Sequence, residues 1–179
     1  TELAANRPAL IRSYDVLATI HRHRRQFDQA ARYRQQQEQL VDSDSARSDL
    51  LFESAVDELK KQGTRSSRAL NLMAQSSRLA AGAGHVLTGH RAALHECWLR
   101  LESGGRGACT AASVRRHFDA LSRAGIPWMA LEAKLVKARI LDRERKRGEA
   151  LSELENLVDD LLFFHQGLPG VLGAWYWLN

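Results

Sequence analysis

Apolar residues recur at helical spacing in eight runs along the chain, each closed by turn residues or by a burst of charge. The pattern predicts helices over about Pro8–Arg24, Phe27–Val41, Ala46–Gln62, from after the cap-like Thr64 to Ala81, His85–Leu101, Thr110–Ala124, Trp128–Arg145 and Gly148–Phe164. Asn6 can cap the first helix, and Pro8 suits its first turn. Asp42-Ser43-Asp44-Ser45 ends the second and caps the third, which stops at Gly63. Gly82-Ala83-Gly84, Ser103-Gly104-Gly105-Arg106-Gly107 and Gly125-Ile126-Pro127 mark later breaks. The turn from Gln166 to Gly170 precedes what reads as the start of a ninth helix.

Two stretches repeat a small-residue signature. Ala18 lies twelve positions before Ala30, across the charged break His21–Gln26, and Ala138 lies twelve before Ala150, across Asp142–Arg147. Each stretch reads as helix–turn–helix with one alanine on each facing helix, which lets antiparallel helices approach toward the lower end of the usual ~8–10 Å. The two signatures are 120 residues apart, so four hairpins give a repeat of about forty residues. The two middle hairpins lack the alanine pair in register, and the repeat is degenerate.

In the first stretch, Tyr14, Leu17 and Ala18, then Phe27 and Ala30, resemble the tetratricopeptide repeat position by position: an aromatic and a leucine lead one helix, an aromatic enters the turn, and an alanine marks the second helix. In the second stretch Ala138, Gly148-Glu149-Ala150, Leu154 and Leu157 fit, but Lys134 and Lys137 stand where an aromatic and a leucine are usual, and the repeat's late proline is absent from both. The resemblance implies an all-α fold, a right-handed α-solenoid of about four antiparallel helix hairpins over residues 1–179. Its degenerate, forty-residue rhythm is also similar to the sensor arrays of bacterial signalling proteins, including MalT-like transcription activators. The likeness implies a role in signalling or transcription regulation as part of a longer chain. A start at Thr1 and an aromatic end point the same way, to an excised segment.

Composition narrows the class. Three prolines, few β-branched residues and abundant Ala, Leu, Arg, Glu and Gln favour helix throughout. Cys97 and Cys109 show no CxxC or ligand spacing, which suits a reducing, cytoplasmic setting and argues against a disulfide scaffold. The longest apolar stretch, Gly167–Leu178, is about half the ~20 residues that a spanning helix needs, so no membrane is expected. Of the 26 basic side chains 21 are arginine, and they alternate with acids to a net charge of +5. That interleaving describes a salt-bridged surface and makes nucleic acid an improbable partner.

Candidate chemistry is sparse. His85, His90 and His95 are five apart, so each is turned about 140° from the last, and position 99 is Leu99 where a His-Glu-x-x-His metal motif needs a second histidine. Gly82-Ala83-Gly84 follows a helix rather than a strand, and Leu87 stands where a dinucleotide loop has its third glycine. Gly104-Gly105-Arg106-Gly107 lacks the Gly-Lys-Ser/Thr ending of a phosphate loop. No nucleophile elbow occurs. We therefore expect no cofactor, no metal and no enzyme activity.

The expected function is a non-catalytic protein–protein interaction module whose partner, a protein or peptide, lies on a concave face lined by the first helix of each hairpin. The helical period nominates Arg12, Asp15, Thr19 and Arg22 on the first helix, with Asn71, Gln75 and Arg78 further on, as exposed contacts. Alternatives are a small-molecule effector held in the groove, or nucleic-acid binding through a contiguous basic stripe. Trp98, Phe118 and Trp128 should fill the core around the glycine loop. Trp175, Tyr176 and Trp177 are expected to pack on a further hairpin or to form a homodimer contact.

Overall fold

A computed structural model describes the backbone of residues 2–105 and 109–167 and the side chains of 6–105 and 109–161. Among the described residues there are eight helices and no strand: α1 (Glu2–His23), α2 (Phe27–Leu40), α3 (Asp44–Gln62), α4 (Ser67–Gly82), α5 (Val86–Glu102), α6 (Ala111–Arg123), α7 (Pro127–Arg143) and α8 (Arg147–Gly167). The chain is all-α. The boundaries follow local chemistry. Ser43 Oγ accepts from the Ala46 amide at the head of α3, and Ser66, not Thr64, caps α4 through the Ala69 amide. Thr110 and Ser113 form a reciprocal capping box on α6. The largest departure is α1, which starts six residues before Pro8 and carries it internally instead of being capped by Asn6. A proline there leaves the Ala4 carbonyl without its helical donor, a defect tolerable near a helix start.

The chain divides into two compact units, Thr1–Ala92 and Ala93–Asn179, with the boundary inside α5. In the first unit α1 packs on α2 and α3 on α4 as helix hairpins, and α2 also meets α3. Ala18 and Ala30 are fully buried, as the signature requires, beside a core of Leu50, Phe52, Ala55, Val56, Ala69 and Met73. In the second unit α7 packs on α6 and α8, and Ala138 and Ala150 are again buried, with Leu121, Val136 and Ile140.

The turns of the two signature hairpins are built alike. In one, the Gln26 amide donates to the His21 carbonyl at 2.9 Å and Arg25 stands at φ 59°. In the other, the Lys146 amide donates to the Leu141 carbonyl at 2.9 Å and Arg145 stands at φ 64°. Both are Schellman endings, in which the left-handed position normally belongs to glycine. The 120-residue offset of the alanines therefore extends to backbone hydrogen bonds and dihedrals.

Two expectations about side chains change. Cys97 in α5 and Cys109 before α6 are joined as a disulfide, with their Cα atoms 5.4 Å apart. Their twelve-residue spacing spans the end of α5, the glycine turn and the return of the chain, which brings the two sulfurs together. The pairing removes the spacing argument for a reducing compartment. Of the three aromatics placed around that loop, Trp98 is buried and Phe118 half-buried, but Trp128 is exposed. Among the described residues, no helix is long and apolar enough to cross a membrane.

Candidate functional site: a charged cleft in the first unit

The first unit contains a cleft of about 720 Å³. One wall is α1, through Arg7, Pro8, Ile11, Arg12 and Asp15. The floor is α3, whose Ala46, Asp49 and Glu53 follow one another at helical spacing with Phe52 beside them, and Arg91 of α5 forms the far side. Gln37 of α2 and Asp42 close the end. Seven of these twelve lining residues are charged.

The charges are organised by what lies beneath. Arg34 of α2 and Arg22 of α1 are both buried, and they reach the same two carboxylates on α3. Arg22 Nη1 donates to Glu53 at 3.0 Å and to Asp57 at 2.8 Å. Arg34 Nε donates to Asp57 at 3.0 Å, and its Nη1 donates to Gln37 at 2.9 Å and to Asp15. Burial opposes the charge on Arg34, but Asp57, Glu53 and Asp15 outweigh it and hold its pKa above the ordinary arginine value. Burial likewise pushes the Asp57 carboxyl up, against the pull of Arg34 and Arg22. The network ties α1, α2 and α3 together and fixes Asp15, Gln37 and Glu53, three residues that line the cleft.

At the rim, Arg7 Nε donates to the Leu40 carbonyl at 2.6 Å and its Nη1 pairs with Asp42 at 2.9 Å. Thr88 Oγ1 donates to Asp49 at 2.5 Å, yet burial still raises the Asp49 pKa above its ordinary 3.8. The Arg91 guanidinium lies 4.1 Å from the centre of the Phe52 ring, a cation–π contact that keeps it flat against the floor. Among the described residues, Arg12 makes no ion pair or hydrogen bond through its side chain.

One cluster beside the cleft has the composition of a hydrolase triad without its geometry. Ser48 Oγ and Asp49 Oδ1 both approach the same ring nitrogen of His85, Nδ1, at 3.3 and 3.6 Å. A relay needs the acid and the nucleophile on opposite nitrogens. Ser48 is also fully buried and donates to the Ser45 carbonyl at 2.6 Å. In the second unit His95 Nε2 lies 2.8 Å from Glu132, both buried. Among the described residues no three His, Cys, Asp or Glu side chains are grouped to hold a metal.

Of the residues nominated from sequence, Arg12 and Asp15 line the cleft, while Thr19 is half-buried on α1 away from it. Arg22 is a correction: it is not an exposed contact but only 4% exposed, because its side chain turns inward to Glu53 and Asp57. Asn71, Gln75 and Arg78 are exposed on α4, the second helix of its hairpin, outside the cleft. Trp175, Tyr176 and Trp177 lie outside the described residues. Of the ten lining residues missed from sequence, four sit on α3, where Ala46, Asp49 and Glu53 already shared a helical face, and three on α1, Arg7, Pro8 and Ile11. Arg91 carried no such signal. The chain matches no protein-family model, no curated protein and no solved structure.

Proposed function

We propose that the chain is a non-catalytic helical-repeat module that binds an extended segment of another protein in the cleft of its first unit. The observation that carries this reading is the origin of the lining: α1 and α3, the first helices of the two hairpins of this unit, supply nine of its twelve residues. That is where a tetratricopeptide-like array presents its partner-binding face. A lining with seven charged residues of twelve favours a polar polypeptide over a small effector, whose pockets are mostly apolar. The buried arginine network supports the same use, since it holds Asp15, Gln37 and Glu53 in place before a ligand arrives and lowers the ordering cost of binding.

The test is a panel of immobilised 15-residue peptides of varied charge probed with the full chain, followed by titration of the best binders in solution. Micromolar binding that weakens at least about tenfold in both Arg12→Glu and Ile11→Glu, equivalent to about 1.4 kcal/mol, is expected. The absence of any binder, or binding unchanged in both variants, would overturn the reading.

A further inference from the structure

The hairpin turns of the first unit hold a second surface that the cleft does not use. Along the sequence their cations alternate with acids, which argued against a basic stripe. Folding separates the two. The α1–α2 turn and the α3–α4 turn lie side by side, with Lys61 Nζ 3.3 Å from Asp28 Oδ1 between them. His23, at the end of α1, has its pKa pushed below 6.5 by partial burial and then by Arg22 and Lys60, which places the α3 cations within its field.

Arg24, Arg25, Lys60, Lys61, Arg65 and Arg68 are all exposed on these two turns. Their neighbouring acids are drawn inward. Asp57 is taken by Arg22 and Arg34, and Glu58 is buried and reaches Ser66 Oγ at 3.5 Å. Asp28 is the exposed acid left among them. Among the described residues, Arg24, Arg25, Arg65 and Arg68 form no ion pair. In the α7–α8 turn of the second unit two cations are paired, Arg143 with Glu102 and Lys146 with Glu144, while Arg145 and Arg147 form no ion pair among the described residues.

We propose that this turn edge of the first unit docks the phosphate backbone of a nucleic acid. Four of the six cations are arginines, whose planar fork matches phosphate oxygens. Among the described residues, none of the large exposed apolar side chains lies in the two turns. A protein interface core or a membrane-adsorbed helix would need such side chains. Backbone contact alone makes the binding independent of sequence and steeply dependent on salt.

The experiment uses the full chain and a fluorescein-labelled 20-base-pair duplex of arbitrary sequence, read by anisotropy. With about four phosphates neutralised, the salt slope is about −3.6, and affinity falls about 10²-fold between 50 and 200 mM NaCl. The triple variant Arg24→Glu, Arg65→Glu, Arg68→Glu should lose at least about 30-fold at 50 mM NaCl. An equal charge change at exposed positions of α6, Arg115→Glu, Arg116→Glu, Arg123→Glu, should cost less than about threefold. Matching thermal melts confirm that both variants fold, and Arg→Gln versions replace any that does not. No anisotropy change at about 100 µM protein, or equal losses in the two triples, would overturn the proposal. Competition by polyglutamate as effective as that by unlabelled DNA would assign the edge to an acidic protein instead and overturn it equally.

Discussion

Replacing Arg34 with methionine should destabilise the protein more than any surface change. The side chain is 5% exposed and donates to Asp15, Gln37 and Asp57, with Glu53 3.6 Å from its Nη2. Hydrogen bonds to charged partners contribute roughly 1.5–3 kcal/mol each. Asp15 counts for less, because its side chain is 43% exposed and water screens the pair. The greater cost comes from the carboxylates left behind. Asp57, 13% exposed, would keep only Arg22, and removing one partner from a buried ion network costs roughly 3–5 kcal/mol. With a urea m-value of about 2 kcal/mol/M, that is a fall in midpoint of about 1.5–2.5 M. Far-UV circular dichroism during urea unfolding measures it. Arg34→Lys keeps the charge but not the fork that joins Asp57 to Asp15, so it should fall between wild type and Arg34→Met. The penalty should shrink at pH 3, where the orphaned carboxylates protonate. A midpoint shift below about 0.5 M, or equal losses at pH 3 and 7, would show that the network does not hold the three helices together.

Ala18→Leu and Ala30→Leu should each cost on the order of 1–3 kcal/mol, since both sites are fully closed and cannot accept three more carbons; unchanged denaturation midpoints would refute the close hairpin contact. Thiol titration in denaturant without reductant should find no free cysteine, rising to two after reduction. Loss of the bond between Cys97 and Cys109, twelve residues apart, should lower stability by roughly 2–3 kcal/mol. The Glu102 carboxyl is held below its ordinary 4.5, first by the hydrogen bond from Arg143 and further by that from Trp98. A carboxyl depressed by folding contributes stability above its unfolded pKa and loses it as pH falls through the folded value. Arg143→Gln should therefore move the Glu102 titration, followed by NMR, toward 4.5, and an unmoved titration would refute the pairing.

Most of the helical framework was legible because its signals are local. The apolar period, Ser43 before α3, Gly63 after it and Pro127 at the head of α7 each act within one turn of helix. Small residues at a fixed interval located both signature hairpins, since a close helix contact admits nothing larger than alanine at Ala18 and Ala30. The cysteine pairing was not legible. Whether two thiols twelve residues apart meet depends on how sharply the chain reverses between α5 and α6, and glycines at 104 and 105 permit several reversals. Little of the cleft was legible. The period nominated Arg12 and Asp15 on its α1 wall, but the far wall depends on Arg91 crossing over Phe52, a contact between residues 39 positions apart.

Arginine was the residue type the sequence left least determined. The chain carries 21, spread evenly among acids, and the even spread by itself describes a self-neutralising surface. Folding sorts them by a rule that composition does not contain. Arg22 and Arg34 go inward because α3 offers Glu53 and Asp57 one turn apart, on the face that α1 and α2 cover. With Asp57 held inward, Arg24, Arg25, Arg65 and Arg68 of the adjoining turns form no ion pair among the described residues. On the proposal of a phosphate-binding turn edge, the buried network and that edge are linked through Asp57, which Arg22 and Arg34 hold inward. A change that removes one of the two partners of Asp57, such as Arg34→Met, should therefore weaken duplex DNA binding as well as stability, although Arg34 itself is buried and cannot reach a phosphate. Retention of full affinity in a folded Arg34→Met protein would separate the two features.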